Sequence, residues 1–378
     1  MMTSRERVEA ALAHREPDFV PVDIWGSASR INTELYMAVA KELGIDPQKT
    51  GRLIRPGSDT QYEDYALADM LGSDFRHINI GKPKGFQSYK DENGYAIDEW
   101  GVGRSLVGLY PTIVKHPLAD AGMEELEAFQ TPHAEDPGRI EGLGELARHY
   151  YEDTDKYVTA CSAHSGQVFD ICQYLRGTEQ FLVDLYEEEE FARLLIQKVS
   201  DYLIRLNLYY LEPIAPYIGW VEFTSDFGAQ HAPFISNQMF RDFFKEPYTA
   251  LFSAIKQKYP HLKIFLHSCG SVNDLIEEFI GCGVDVMNPI QPLCDHMDSA
   301  ALKERYGDRV TFHGAIDIQQ AINGSMDEVK NEVGRRIQAL ARGGGYILSA
   351  ANHIQRNAPV ENVIAMFRFA KELGKYPL

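Results

Sequence analysis

His267-x-Cys269 sets an imidazole and a thiol two positions apart at the end of the apolar run Ile264-Phe265-Leu266. Residues i and i+2 of an extended strand point to the same side, so both groups can grip one ion. Zinc takes nitrogen and thiolate ligands tetrahedrally, and a catalytic zinc keeps three protein ligands and one open position. A buried free cysteine beside a hydrogen-bonded histidine is the competing reading of the same two residues. A third ligand has to come from elsewhere. His353 is the best placed, with Glu222, Asp226 and Cys294 as alternatives.

Such chemistry needs elements that bring distant residues together. Short β-branched and aromatic runs alternate with amphipathic stretches, the pattern of βα units and a parallel sheet. Strands are predicted at 19–24, 75–80, 157–161, 219–224, 263–267, 284–288, 310–313 and 346–349. Helical patterns cover 180–210, 237–259, 272–281, 298–306 and 326–341. Thr3-x-x-Glu6 and Ser325-x-x-Glu328 read as capping boxes, and Pro359 opens a last helix with Val363, Ile364, Phe367 and Ala370 inward. Asp91-Glu92-Asn93-Gly94 signals a hairpin within an excursion at 85–109. The fold predicted is α/β: a single TIM-type (β/α)8 barrel domain over 1–378 with an early β-hairpin insertion. A doubly wound open sheet is the second choice.

Polar residues follow the strands: Trp25 and Arg30, Cys161 to His164, Glu222 to Asp226, His267 to Gly270, Asn288 to Gln291, His313 to Asp317, and Asn352-His353. A barrel gathers these strand ends on one face, where barrel enzymes place their chemistry. Strand-to-loop junctions favour polar residues in any case, which is the structural reading of the same pattern.

Composition narrows the function. The 378 residues hold 37 Lys+Arg against 55 Asp+Glu, a net charge of −18. That sign disfavours nucleic acid, which needs a basic footprint, and an anionic membrane surface. No apolar run reaches the roughly 18 residues of a membrane span, and the N-terminus lacks the apolar stretch of a signal peptide. The 5 cysteines are odd in number and scattered, unlike a disulfide framework. Cys161, Cys172 and Cys282 read as inert core thiols, and the whole pattern predicts a cytoplasmic protein. Gly343-Gly344-Gly345 precedes a strand and reads as a turn, and no Gly-x-Ser-x-Gly elbow is present.

Arg5-Glu6-Arg7-Val8-x-x-Ala11-Leu12, followed by Glu16-Pro17-Asp18-x-Val20-Pro21, resembles the N-terminus of the uroporphyrinogen decarboxylase superfamily. Leu266-His267-Ser268-Cys269-Gly270-Ser271, Asn288-Pro289-x-Gln291 and Phe312-His313-Gly314-x-Ile316-Asp317 are similar to it as well. So is His353-Ile354-Gln355 before Pro359-x-Glu361-Asn362. The resemblance spans nearly the whole chain and implies one TIM-type barrel. In its decarboxylase branch an arginine-rich loop after the first strand holds the carboxylates of a tetrapyrrole, without metal or cofactor. Here that loop reads Trp25-Gly26-Ser27-Ala28-Ser29-Arg30, with one arginine.

In the corrinoid-dependent methyltransferase branch a His-x-Cys pair and a later Cys bind zinc. His267 and Cys269 match the pair, while the later position falls at His353. The resemblance therefore implies zinc on His267, Cys269 and His353. The implied reaction moves a methyl group from a methylated, typically methoxylated, small molecule to Co(I) of a corrinoid protein partner. Asp226 and Asp317 are the implied catalytic carboxylates, and Trp25, Arg30, Glu222, Asn288, Gln291 and His313 the substrate-contact candidates. Other activities stand beside it. One is decarboxylation of a tetrapyrrole carboxylate, with Asp226 or Asp317 steering a pyrrole nitrogen. Another is methyl transfer from a methylcorrinoid to a thiol. The last is a non-catalytic corrinoid- or tetrapyrrole-binding protein. A homodimer through outer helices is compatible with each.

Overall fold

The computed structural model describes residues 1–55, 58–105 and 111–378. Parallel strands form one curled sheet: β1 (Phe75–Ile78), β2 (Tyr157–Ala160), β3 (Trp220–Thr224), β4 (Lys263–His267), β5 (Val286–Asn288), β6 (Thr311–Ile316) and β7 (Tyr346–Ala350). These 7 strands lie side by side in chain order, β1 to β7, as in a TIM-type barrel. Both faces are covered, so β2, β6 and β7 are buried along their whole length and read as near-continuous apolar runs.

The seam between β1 and β7 is filled by the segment expected to be the first strand. Val22 bridges Leu348 in parallel, the Asp23 amide donates to the Leu348 carbonyl, and the Asp74 amide donates to the Val22 carbonyl. The ladder stays short for a local reason. Pro21 has no amide to donate, and the Val22 amide is taken by the Asp74 carboxylate at 2.9 Å. The prediction at 19–24 is thus met in place but not in regular pairing.

Inside the barrel the strand period of two sorts residues into layers. Phe75, Tyr157, Trp220, Phe265, Val286 and Ile347 form an apolar plug together with Val8 of the first helix, α1 (Ser4–Leu12). Two residues further along the same strands stand His77, Thr159, Glu222, His267, Asn288 and Ser349, all of them buried. A polar layer therefore lies directly on an apolar one, and its upper side opens toward the strand ends.

Both capping boxes form as read from the sequence, and Pro359 caps the last helix, Val360–Leu373. The 180–210 pattern is two helices, Thr178–Glu187 and Glu189–Leu211, because Glu188 leaves helical geometry at φ −130°. The hairpin signal is right, and its turn opens a larger unit. Tyr89–Lys90, Ala96–Ile97, Gly103–Ser105 and Thr112–Lys115 make a 4-stranded antiparallel sheet, with Gly94 at φ 77° in the turn. Positions 106–109 of the predicted excursion lie outside the described residues. All 5 cysteines are free thiols. Among the described residues no helix is long and apolar enough to cross a membrane.

Candidate metal centre in the barrel mouth

A cleft of about 240 Å³ opens where the strand ends gather. Ser27, Arg55, His164, Asp226, His267, Cys269, Asn352 and His353 line it. His267 ends β4 and Cys269 follows in the next loop, while Asp226 lies two residues beyond β3. Those two loops cross backbone on backbone. A Cβ on Gly270, which sits at φ 86°, would stand 2.5 Å from the Gly228 carbonyl, and one on Gly228 would stand 2.5 Å from the Cys269 carbonyl. Glycine at both positions lets the loops meet so closely. The contact aims Asp226 back at the pair, and its Oδ1 accepts the Cys269 amide at 2.9 Å.

His267 Nε2 stands 3.1 Å from Cys269 Sγ and 3.5 Å from Asp226 Oδ1. A nitrogen, a sulfur and a carboxylate oxygen all lie within 4.8 Å of one another. Ligand atoms on the edges of a zinc tetrahedron are separated by about 3.4–3.6 Å, given bonds near 2.0–2.3 Å. The donor set and its spacing fit zinc. Burial, then the Asp226 carboxylate, push the Cys269 thiol well above its ordinary range, so thiolate formation there calls for a cation. Asn352 Nδ2 donates to the same sulfur at 3.2 Å, and Gln291 Nε2 approaches it at 3.7 Å.

The lone pair of His267 is aimed from deep in the barrel. Asp23, as a carboxylate, only accepts, and it takes Nε2–H of both His313 and His77 at 2.9 Å. His313 Nδ1 then accepts from Asn288 Nδ2 at 2.7 Å, which turns Asn288 Oδ1 toward His267 Nδ1 at 2.5 Å. His267 donates from Nδ1, and its Nε2 is left free as a ligand. Burial opposes charge on both Asp23 and His77. Each outweighs that for the other, holding the Asp23 carboxyl far below the usual range and His77 well above its own. Glu222 also stays ionised against burial through His77. His77, Cys161 and Glu222 form a second close group. Its partners are already taken: Glu222 accepts the Ser27 amide and the Trp220 indole, and His77 uses both nitrogens.

The remaining sequence candidates separate clearly. His353 shares the cleft but lies outside the close donor group, and its Nδ1 accepts the Arg30 amide at 3.1 Å. Burial, then Arg55 and Arg30, hold His353 well below the ordinary histidine range. Asp226, one of the alternatives to His353 in the sequence, is the residue that stands in the close donor group with His267 and Cys269. Asp317 caps the turn after β6, accepting the amides of Gln319, Gln320 and Ala321, so its oxygens face backbone and not the cleft. Trp25 is fully buried with its indole N–H on the Asp64 carbonyl, a packing position. Glu222, Asn288 and His313 belong to the polar layer beneath the cleft, and Gln291 backs Cys269.

Sequence reasoning missed Asp23 and His77, whose only signal is a titratable residue inside an apolar strand pattern. It also missed Asp170, which accepts the Asp226 amide and is pushed up to about 7 by burial, then by Asp226. Arg55 carries no local signal at all. A larger groove of about 360 Å³ lies among Arg5, Glu9, Tyr217 and Lys263, at the end of the barrel where strands begin. That end of a barrel serves stability.

Comparison with known proteins agrees with this architecture. The family profile described as uroporphyrinogen decarboxylase (URO-D) matches residues 104–373. Uroporphyrinogen decarboxylase 2, chloroplastic, of Arabidopsis thaliana is 26% identical over 163 residues, 41% of this chain and 40% of that protein. Uroporphyrinogen decarboxylase of Trichodesmium erythraeum (strain IMS101) is 28% identical over 134 residues, 35% of each chain. The chain thus spans well under half the length of these curated relatives. A solved structure, a methyltransferase from Methanosarcina mazei, superposes with a TM-score of 0.68 at 17% identity, covering 98% of this chain and 99% of that one. That likeness is one of fold. With the family profile running through most of the barrel, the chain belongs to the uroporphyrinogen decarboxylase family.

Proposed function

We propose that this protein is a zinc-dependent methyltransferase, passing a methyl group from a methylated small molecule to the Co(I) of a separate corrinoid protein. The observation that carries the reading is the Asp226, His267 and Cys269 donor group facing an open cleft. A neutral imidazole, a thiolate and a carboxylate balance the charge of one divalent zinc and leave a position free. In the reaction the methyl–oxygen bond breaks and its electron pair leaves with the oxygen. The methyl group joins cobalt through the Co(I) electron pair, and the departing oxyanion takes a proton from solvent. Bound zinc supplies Lewis-acid stabilisation of that leaving oxygen.

The chain's own residues prepare the step. Asn288 keeps the His267 proton on Nδ1, and Asn352 and Gln291 hold the Cys269 sulfur in place. Asp226, anchored by the Cys269 amide and backed by Asp170, is oriented before any metal arrives. Metal-free decarboxylation is the second reading, favoured by the names of the curated relatives. The test is methyl transfer from methoxylated compounds to free cob(I)alamin, followed by its absorbance. Transfer that disappears in His267→Ala while the fold persists supports the first reading. Full turnover of uroporphyrinogen by metal-stripped protein overturns it.

A further inference from the structure

His164 lines the same cleft as His267 and Cys269, and the metal reading gives it no role. Its loop is fixed from several sides. The His164 carbonyl accepts the Ser162 hydroxyl at 2.8 Å and the Gly166 amide at 3.0 Å, and the Ser162 amide donates to Ser27 Oγ at 2.9 Å. Gly166 sits at φ 123°, where an added Cβ would stand 2.7 Å from that of Asp170, so glycine lets the turn close. The ring is held as well, edge-on to the buried Trp100 indole at 6.1 Å between centroids. His164 Nδ1 lies 3.2 Å from the Gly166 carbonyl, which can only accept, so Nδ1 carries the ring proton. Nε2 is then a bare lone pair, and among the described residues no donor reaches it. Burial holds His164 down at about 4 in spite of the Asp98 carboxylate, so no second proton is bound at neutral pH.

We infer that His164 Nε2 accepts a hydrogen bond from a hydroxyl group on the methyl donor, and so selects hydroxylated methyl ethers over ethers without a hydroxyl. This rests on the methyltransferase reading and narrows its substrate. A packing histidine needs only its ring faces, which does not account for a lone pair kept bare on a cleft-lining ring. Neighbouring polar groups are engaged already. Thr224 Oγ1 receives the Gly166 amide, and Asn352 serves the Cys269 sulfur and the His353 amide. His353 has the opposite polarity: its Nδ1 accepts the Arg30 amide, so its one proton sits on Nε2 and makes that atom a donor. A hydroxyl brings His164 the proton it lacks. An ether oxygen in the same place sets lone pair against lone pair, and a bare ring edge leaves the desolvated nitrogen unpaired. At about 240 Å³ the cleft is below the roughly 300–1,000 Å³ of a drug-sized ligand pocket, so it suits a single small ring.

The experiment is calorimetric titration of the zinc-loaded protein with meta-methoxyphenol, meta-dimethoxybenzene and methoxybenzene, repeated on His164→Phe and on His164→Gln. The wild type is expected to bind the phenol about three- to tenfold more tightly than either ether. His164→Phe should bring all three to within about twofold of one another with zinc content unchanged. His164→Gln, which keeps an acceptor oxygen, should recover part of the preference. A merely structural histidine would lower the three affinities together, and that result overturns the proposal. So does a phenol preference that persists in His164→Phe, the sign that the hydroxyl sits on the metal instead. Nitrogen NMR of wild-type protein carrying isotope-labelled histidine reads the same atom directly. His164 Nε2 should be unprotonated at neutral pH and should shift with the phenol alone; a protonated Nε2 in the free protein overturns the proposal. Phenol selectivity through His164 without methyl transfer to cob(I)alamin leaves the acceptor standing and removes the methyltransferase reading instead.

Discussion

At the scale of single residues, the site depends on which nitrogen of His267 carries the proton. Asp23 decides that through His313 and Asn288, so in the proposed site the Asn288 side chain positions His267 as a ligand. Asn288→Ala is expected to weaken zinc binding by about 10- to 100-fold with little change in helix content, measured by competition with a chromophoric chelator. Unchanged zinc affinity would contradict the relay. A second residue bears on pH. Burial holds His164, packed edge-on to Trp100, down at about 4, against an ordinary value of 6.5 in the unfolded chain. Between those values the unfolded chain binds the extra proton, so stability rises with pH across the window and falls on acidification. His164→Gln should remove up to about one proton from the slope of unfolding free energy against pH in that window. Denaturant titrations at several pH values read it directly, and a slope equal to wild type would argue that His164 is not held neutral.

At the scale of elements, the candidate metal ligands are brought together by a crossing of two loops. Gly270 at φ 86° and Gly228 meet backbone to backbone, and this contact turns Asp226 toward His267 and Cys269. Gly270→Ala should destabilise the protein by about 1–3 kcal/mol, from backbone strain alone, and should lower zinc retention on dialysis. A variant with wild-type melting and full zinc retention would show that the crossing is dispensable. The same crossing explains what the sequence could and could not disclose. His267 and Cys269 share a strand end, so local spacing is enough to pair them. The third member of the candidate group, Asp226, depends on how the loop after β3 runs, and no local spacing records that path. His353 and Asp226 both follow a strand closely, and only the Gly228 and Gly270 contact separates them. The capping boxes and the Asp91–Gly94 turn were legible because their partners lie within a few residues. The barrel seam at 19–24 was legible in position, but the Asp74 side chain that interrupts its ladder comes from a distant element.

At the scale of the whole molecule, the barrel stacks a polar layer on an apolar plug. The apolar plug follows from aromatic and β-branched residues in the strands and was readable as strand character. The polar layer was legible only in part: Glu222, Asn288 and His313 stood out as polar strand ends, whereas Asp23 and His77 gain meaning only when the closed sheet brings their strands face to face. Asp23 counters buried His77 and orients His313, so Asp23→Ala should cost about 3–5 kcal/mol, the range for removing one partner of a buried pair. Thermal melting would show it, and a variant as stable as wild type would mean the layer is neutral throughout. Above that layer sits the proposed zinc site, the central claim. It is tested most directly by plasma mass spectrometry of wild type and His267→Ala, purified without added metal. The prediction is about one zinc per wild-type chain and almost none in the variant. A wild-type protein that stays metal-free after zinc is offered and the excess dialysed away would contradict it.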